Sequence, residues 1–318
     1  MTRLSVAQSV LYDAPRTIYF YATSYCNSNC SYCIFRNSNL EMKREHLPLD
    51  LLKKVVKESN LLKRTSWVIQ GGEIGEHPQA AQIAEFLHLN GHFVTLLTNA
   101  IHIPSSIRML PFVDAITISF DGRRHDIVRG APGNTESIFE YIKQVREKAI
   151  NPVDLTLQMT LGPWNTNLDE VIYVKELADE HHVGLRINVA SDTGVLGNGN
   201  YTQNIEKLAK IEVYFESEGE NFTARYLREY VKHLKGERLP CVSTSIYSTI
   251  LQDGRVLLCQ GLDTEEATIG NLHDNRFDDI WNWAMDTRKE LRTCNKCGLS
   301  CQLMGDIKFD ETFYAPES

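Results

Sequence analysis

No cysteine occurs between Cys33 and Cys241, although the 318-residue chain contains eight. In a small exported protein eight thiols would suggest four disulfides. A chain of this length needs no such stapling, and Met1–Asp13 lacks the sustained apolar stretch of an export signal. No run of 18 apolar residues occurs, so no membrane-spanning helix is expected. Basic residues are the minority, 33 Lys and Arg against 41 Asp and Glu. The resulting net charge of −8 argues against a general nucleic-acid binder, which draws its affinity from basic patches on phosphate. Repeats and low-complexity tracts are also missing. What remains is an ordinary composition, 42% apolar and 23% charged, long enough for a large core. It suits one large domain, or one of roughly 200–250 residues with a small appendage.

The cysteines fall into two groups: Cys26, Cys30 and Cys33, then Cys241, Cys259, Cys294, Cys297 and Cys301. This clustering reads as two metal sites in a reducing cytoplasm. Their number also suits two closed four-cysteine zinc sites, so a zinc-stabilised binding or regulatory protein is the rival reading. The first group, Cys26-Asn-Ser-Asn-Cys30-Ser-Tyr-Cys33, has an odd number of ligands. Structural zinc wants four. A cubic 4Fe-4S cluster held by three thiolates keeps one iron open for another ligand.

Strand-like and helix-like segments alternate along the chain. Strands are expected at Thr17–Ala22, Ser66–Gln70, His92–Leu97, Ala115–Phe120, Val153–Thr160 and Leu185–Val189. Helices are expected at Leu49–Leu62, Pro78–Asn90, Thr135–Lys148 and Asn167–His182. Nearly continuous apolar strands between helices predict an α/β fold with a parallel sheet covered by helices. Six such units fall short of an eight-unit barrel, so an open (β/α)6 arc is expected, with a flat doubly wound sheet as the alternative. Either architecture gathers function at the carboxyl ends of the strands. Beyond a Gly- and Asn-rich loop at Ser191–Gln203, two helices are expected near Asn204–Glu216 and Phe222–Lys235. A hairpin around Gln252-Asp253-Gly254 and a helix at Phe277–Arg288 follow.

The Cys-x3-Cys-x-aromatic-Cys loop after a first strand resembles the signature of the radical S-adenosylmethionine (radical SAM) superfamily. The resemblance implies a partial TIM-like barrel and a 4Fe-4S cluster on Cys26, Cys30 and Cys33 whose open iron chelates SAM. Tyr32 matches the aromatic position that lies against the adenine; the alternative is a tyrosine packing the loop onto the barrel rim. Gly71-Gly72-Glu73 resembles the family's Gly-Gly-Glu motif, with glycines for close approach of a ligand and a carboxylate for the SAM amino group. The following Ile74-Gly75-Glu76-His77-Pro78 departs from the family wording, and a surface placement is expected for Glu76 and His77. Ser119 and Asp121, at the end of strand four, resemble the ribose-binding position. Arg129, in His125-Asp126-Ile-Val-Arg129-Gly130, is a candidate for the SAM carboxylate or for a salt bridge within its loop. Asn99 is a further candidate contact.

The C-terminal cysteines resemble the auxiliary-cluster extension known as the SPASM or twitch domain, as does the wording Ile269-Gly-Asn-Leu272 and Phe277-x-x-Ile280-Trp281-Asn282. Five cysteines suffice for one auxiliary 4Fe-4S cluster with a thiol left over. By one analogy Cys241, Cys259, Cys294 and Cys297 bind and Cys301 is spare, able to donate a hydrogen atom to a substrate radical. By another, Cys301 joins Cys241 and Cys259. The implied organisation is a lead-in over 1–16, a radical SAM core over 17–195, a helical connection over 196–239, a small α+β auxiliary domain over 240–305 and an acidic tail over 306–318. The implied reaction begins with reductive cleavage of SAM and abstracts hydrogen from an unactivated carbon. Oxidation, epimerisation or cross-linking of a sugar, an aminocyclitol or a ribosomal peptide would follow. A flavodoxin- or ferredoxin-type reductant is implied. The short lead-in leaves no room for a leader-binding domain, so a peptide substrate would need a separate carrier protein.

Overall fold

The computed structural model describes residues 14–33, 44–63, 65–190, 204–237, 243–259 and 267–290. Six parallel strands come first: β1 (Thr17–Thr23), β2 (Ser66–Gly71), β3 (Phe93–Thr98), β4 (Ala115–Ser119), β5 (Asp154–Leu161) and β6 (Gly184–Val189). Within the sheet they lie in sequence order, β6-β5-β4-β3-β2-β1. A doubly wound sheet would reverse direction at a switch point. This one does not, and the open (β/α)6 arc of a partial barrel results.

The helices between them are α1 (Leu49–Glu58), α2 (Ala80–Leu89), α3 (Ile103–Met109), α4 (His125–Arg129), α5 (Asn134–Lys148) and α6 (Leu168–Glu180). Local chemistry sets some of their ends. Asn167 caps α6 by accepting from the Glu170 N–H at 2.9 Å, and Gly91 just past α2 takes a left-handed φ of 77°. The helices cover one sheet face, where Ile18, Phe20, Trp67, Ile69, Val94, Leu96, Ile116, Ile118, Leu157 and Met159 are all 0% exposed. Side chains alternate along a strand. The opposite, concave face therefore carries Tyr19, Tyr21, Gln70, Thr117, Ser119, Gln158 and Arg186 in register.

The later elements are α7 (Ile205–Ser217), α8 (Asn221–Leu234), β7 (Tyr247–Ile250), β8 (Arg255–Leu257), β9 (Thr268–Asn271), α9 (Phe277–Trp283) and α10 (Met285–Glu290). The long helix expected at Phe277–Arg288 breaks in two at Ala284. β7 pairs in parallel with β1, Thr17 opposite Tyr247, and β8 and β9 continue antiparallel. The first barrel strand thereby gains a partner on its open edge, and one sheet of nine strands runs through both parts. Among the described residues no helix is long and apolar enough to cross a membrane. The Ser191–Gln203 loop lies outside the described residues.

Candidate functional site

The cysteine loop leaves the carboxyl end of β1 and is held from two sides. On one side β2 runs on past its own end: the Gly72 N–H donates to Thr23 O and the Glu73 N–H to Tyr25 O, each at 2.7 Å. A Cβ on Gly71 would stand 2.3 Å from Thr23 O, and one on Gly72 would stand 2.1 Å from Tyr25 O. The close approach these glycines permit is thus to the backbone leading into the cysteine loop. On the other side stands the carboxyl end of α4, whose last carbonyls have no partner within the helix. Val128 O accepts from the Ser31 N–H, and Arg129 O accepts from the Asn29 N–H and the Ser28 hydroxyl, all within 2.9 Å. Gly130, at φ 56°, lets Asn29 approach; a Cβ there would meet Asn29 O at 2.8 Å. Beside either side-chain role expected of Arg129, its backbone, with that of Val128, anchors the loop.

Glu73 is 3% exposed. Its carboxylate accepts from the Thr98 hydroxyl and the Asn99 N–H, each at 2.7 Å, and from the Gly75 N–H at 3.3 Å. Burial still pushes its pKa up despite these donors, so a nearby cation would be welcome. Asn99 joins the turn after β3 to the cysteine loop: its amide donates to Asn27 Oδ1 at 2.8 Å and lies 3.9 Å from Cys26 Sγ. Its carbonyl accepts from Asn134 at 2.8 Å, and Asn134 Oδ1 pairs with His125 Nε2 at 2.9 Å. His125 Nδ1 in turn accepts from the Asp121 N–H at 3.1 Å. Burial holds that imidazole neutral.

Asp121 is 0% exposed and fully engaged. Oδ2 accepts from the Tyr32 hydroxyl at 2.6 Å and from Arg129 Nε at 2.8 Å, while Oδ1 accepts from the Thr160 N–H at 3.0 Å. Asp121, expected from the resemblance at the ribose, thus takes three donors from the protein itself, and Arg129 makes the salt bridge that was one of its two options. Tyr32 stacks on Trp164 with ring centroids 4.8 Å apart and planes at 10°. Trp164 in turn closes on Gly162, where a Cβ would meet it at 2.4 Å. Ser119 is 8% exposed on the concave face, and its hydroxyl makes no hydrogen bond among the described residues.

Sequence reasoning missed Thr98, His125, Asn134 and Trp164 in this network; Gly162 and the left-handed Gly130 were the available signals. It also misplaced His77, expected at the surface and in fact 4% exposed. His77 Nε2–H donates to Leu47 O at 3.1 Å and Nδ1 accepts from the Gln79 N–H at 3.0 Å. Burial, with a smaller push from His46, lowers its pKa from 6.5 to about 4. Between those values the unfolded chain binds a proton that the folded chain excludes. Stability is therefore intact above pH 6.5 and falls as pH drops toward 4, by on the order of 3 kcal/mol. Urea unfolding from pH 8 to pH 4 checks this: His77→Asn should start below the wild type, and the gap should narrow as the pH falls.

Cys26, Cys30 and Cys33 lie in the loop at the carboxyl rim, whereas Cys259 follows β8, which runs antiparallel to β7 and so ends toward the amino end of the sheet. The Ser28 N–H donates to Cys26 Sγ at 3.4 Å, and the Ser28 hydroxyl lies 3.4 Å from Cys30 Sγ. Burial pushes the Cys26 thiol up to about 12, so only a bound metal would make it a thiolate near neutral pH. No three His, Cys, Asp or Glu side chains among the described residues converge as on a single ion. A cube with one thiolate per corner does not require that. Cys241, Cys294, Cys297 and Cys301 lie outside the described residues.

A family model for the radical SAM superfamily matches residues 20–178, and one for an iron-sulfur cluster-binding domain, SPASM, matches residues 241–302. The chain belongs to the radical SAM superfamily. The AdoMet-dependent heme synthase of Methanosarcina barkeri is 24% identical, over 90% of this chain and 88% of its own. Streptococcus suis SuiB, in its structure bound to precursor peptide SuiA, matches with a TM-score of 0.69 over 94% of this chain and 73% of SuiB, at 14% identity. Native anSMEcpe with bound AdoMet matches at 0.60 over 92% of this chain and 88% of its own, at 17% identity. As a radical SAM enzyme with a SPASM domain, the protein uses a 4Fe-4S cluster, SAM and an auxiliary iron–sulfur cluster, which decides against zinc. The donor set fits: three thiols with N–H and O–H donors at the sulfurs, beside a buried carboxylate.

Proposed function

We propose that Cys26, Cys30 and Cys33 hold the SAM-binding cluster and that the concave face of the arc holds a substrate. When bound, the cluster and SAM supply a 5′-deoxyadenosyl radical that takes hydrogen from an unactivated substrate carbon. The observation that carries this is the two-sided clamp on the cysteine loop, with Glu73 buried at its centre. Glu73 would take the amino group of SAM and the Ser119 hydroxyl its ribose. Tyr32, Asp121 and Arg129 act through their grip on the loop. Cys259 and three of Cys241, Cys294, Cys297 and Cys301 would carry the auxiliary cluster. The outcome would be oxidation, epimerisation or cross-linking of a small molecule or a peptide; SuiB, which shares the fold, binds a precursor peptide. Anaerobic incubation of reconstituted protein with SAM and dithionite tests the reading. It should release 5′-deoxyadenosine slowly without substrate, and intact SAM after prolonged incubation would overturn it.

A further inference from the structure

Only two charged residues occur in the six barrel strands, Asp154 and Arg186. Asp154 opens β5, exposed at the amino end of the sheet and paired with Ala115. Arg186 lies mid-strand in β6 opposite Gln158, on the concave face because Ile187 and Val189 turn into the helix-covered core. Arg186 is partly buried, and its guanidinium makes no hydrogen bond or ion pair among the described residues. A guanidinium stays charged at any ordinary pH, and taking it out of water without a counter-charge is unfavourable. In a chain of net charge −8 a carboxylate partner would have been easy to supply.

Two neighbouring features make the place a site. Asn188, two residues further along the same face, has a buried side-chain oxygen with no hydrogen-bond partner among the described residues. Beside Arg186, a cavity of about 190 Å³ is lined by Thr156, Gly184, Phe222, Thr223 and Tyr226 among others. Its outer wall is α8, whose Tyr226 hydroxyl accepts from the Val189 N–H at 3.1 Å and so covers the edge of β6. Arg186 lies three residues, or roughly 10 Å of strand, below the carboxyl rim where the cysteine loop sits.

We propose that Arg186 binds a carboxylate of the substrate, with the Asn188 amide as a second polar contact. The proposal deepens the radical SAM reading by naming the substrate class: a molecule with a carboxylate at the end remote from the reacting carbon. The planar fork of arginine fits a carboxylate through two parallel hydrogen bonds, and no other cation of the barrel strands competes for it.

Arginine labelling with phenylglyoxal tests this on the reconstituted full chain with SAM, read by peptide mass spectrometry. Arg186 should react, and N-acetylglutamate should protect it at a concentration roughly tenfold below that needed with the neutral diamide N-acetylglutaminamide. Labelling of the exposed Arg124 should not change. Equal protection by the two probes, or an Arg186 inert while Arg124 reacts, would overturn the assignment. In R186Q, saturation-transfer NMR should show the preference for N-acetylglutamate lost, and R186K should keep part of it. A preference that persists in R186Q would also overturn it. Substrate-free 5′-deoxyadenosine release separates the two ideas. If wild type releases none, the radical SAM reading fails whatever the labelling shows; release with undiscriminating protection removes the carboxylate site alone.

Discussion

Asp121→Ala is expected to lower the unfolding free energy by about 3–5 kcal/mol, the range seen when one partner of a buried ion pair is removed. The substitution strands the Arg129 guanidinium, with a side chain only 10% exposed, and takes the acceptor from the Tyr32 hydroxyl and the Thr160 N–H as well. The loop should loosen with it, because Arg129 O and Val128 O hold three of its donors. Urea unfolding and iron bound after reconstitution read both effects. Exchanging Asp121 and Arg129 together for Leu and Met should recover much of the stability, since two well-packed apolar groups replace two buried charges. The same exchange should not restore iron binding, because the position of Tyr32 and the end of α4 depends on the pair. An Asp121→Ala variant as stable as the wild type would show that the triad is not a support.

Gly72→Ala is expected to be nearly as damaging for a steric reason. The new methyl would stand 2.1 Å from Tyr25 O and 2.5 Å from Tyr25 C, and backbone cannot swing aside as a side chain can. The loss should reach the upper end of the roughly 1–3 kcal/mol typical of overpacking, or exceed it. Iron incorporation should fall with stability, because Tyr25 leads directly into Cys26. Gly91→Ala is the control: its φ is 77° but nothing lies within 4 Å, so only the left-handed backbone penalty of roughly 1–2 kcal/mol applies. Equal effects of the two substitutions, measured by urea unfolding, would remove the steric explanation.

The alternation of strands and helices was legible in the sequence because apolar periodicity is a local property. The cysteine loop was legible because its spacing is itself the chemistry. Other features depend on distant partners. β7 reads as a strand, but nothing in Tyr247–Ile250 says that its neighbour is β1. The glycines after β2 announce a close approach without saying what approaches, and the partner proved to be backbone. Asp121 was legible as a carboxylate at a strand end, but its partners were not: Tyr32, 89 positions away, and Arg129 both donate to it. His77 carried a polar label into the core because the two hydrogen bonds that satisfy it are both to backbone. The short α3 escaped notice for want of a periodic apolar face.

Electron paramagnetic resonance of the dithionite-reduced, reconstituted protein tests most directly whether the first three cysteines hold the SAM-binding cluster. Spectra would be recorded with and without SAM, for wild type and for a variant with Cys26, Cys30 and Cys33 all replaced by alanine. The wild type should show two cluster signals, SAM should perturb one of them, and that one alone should vanish from the variant. A SAM-sensitive signal that survives the triple replacement, or a wild-type protein holding zinc and no iron, would contradict the account.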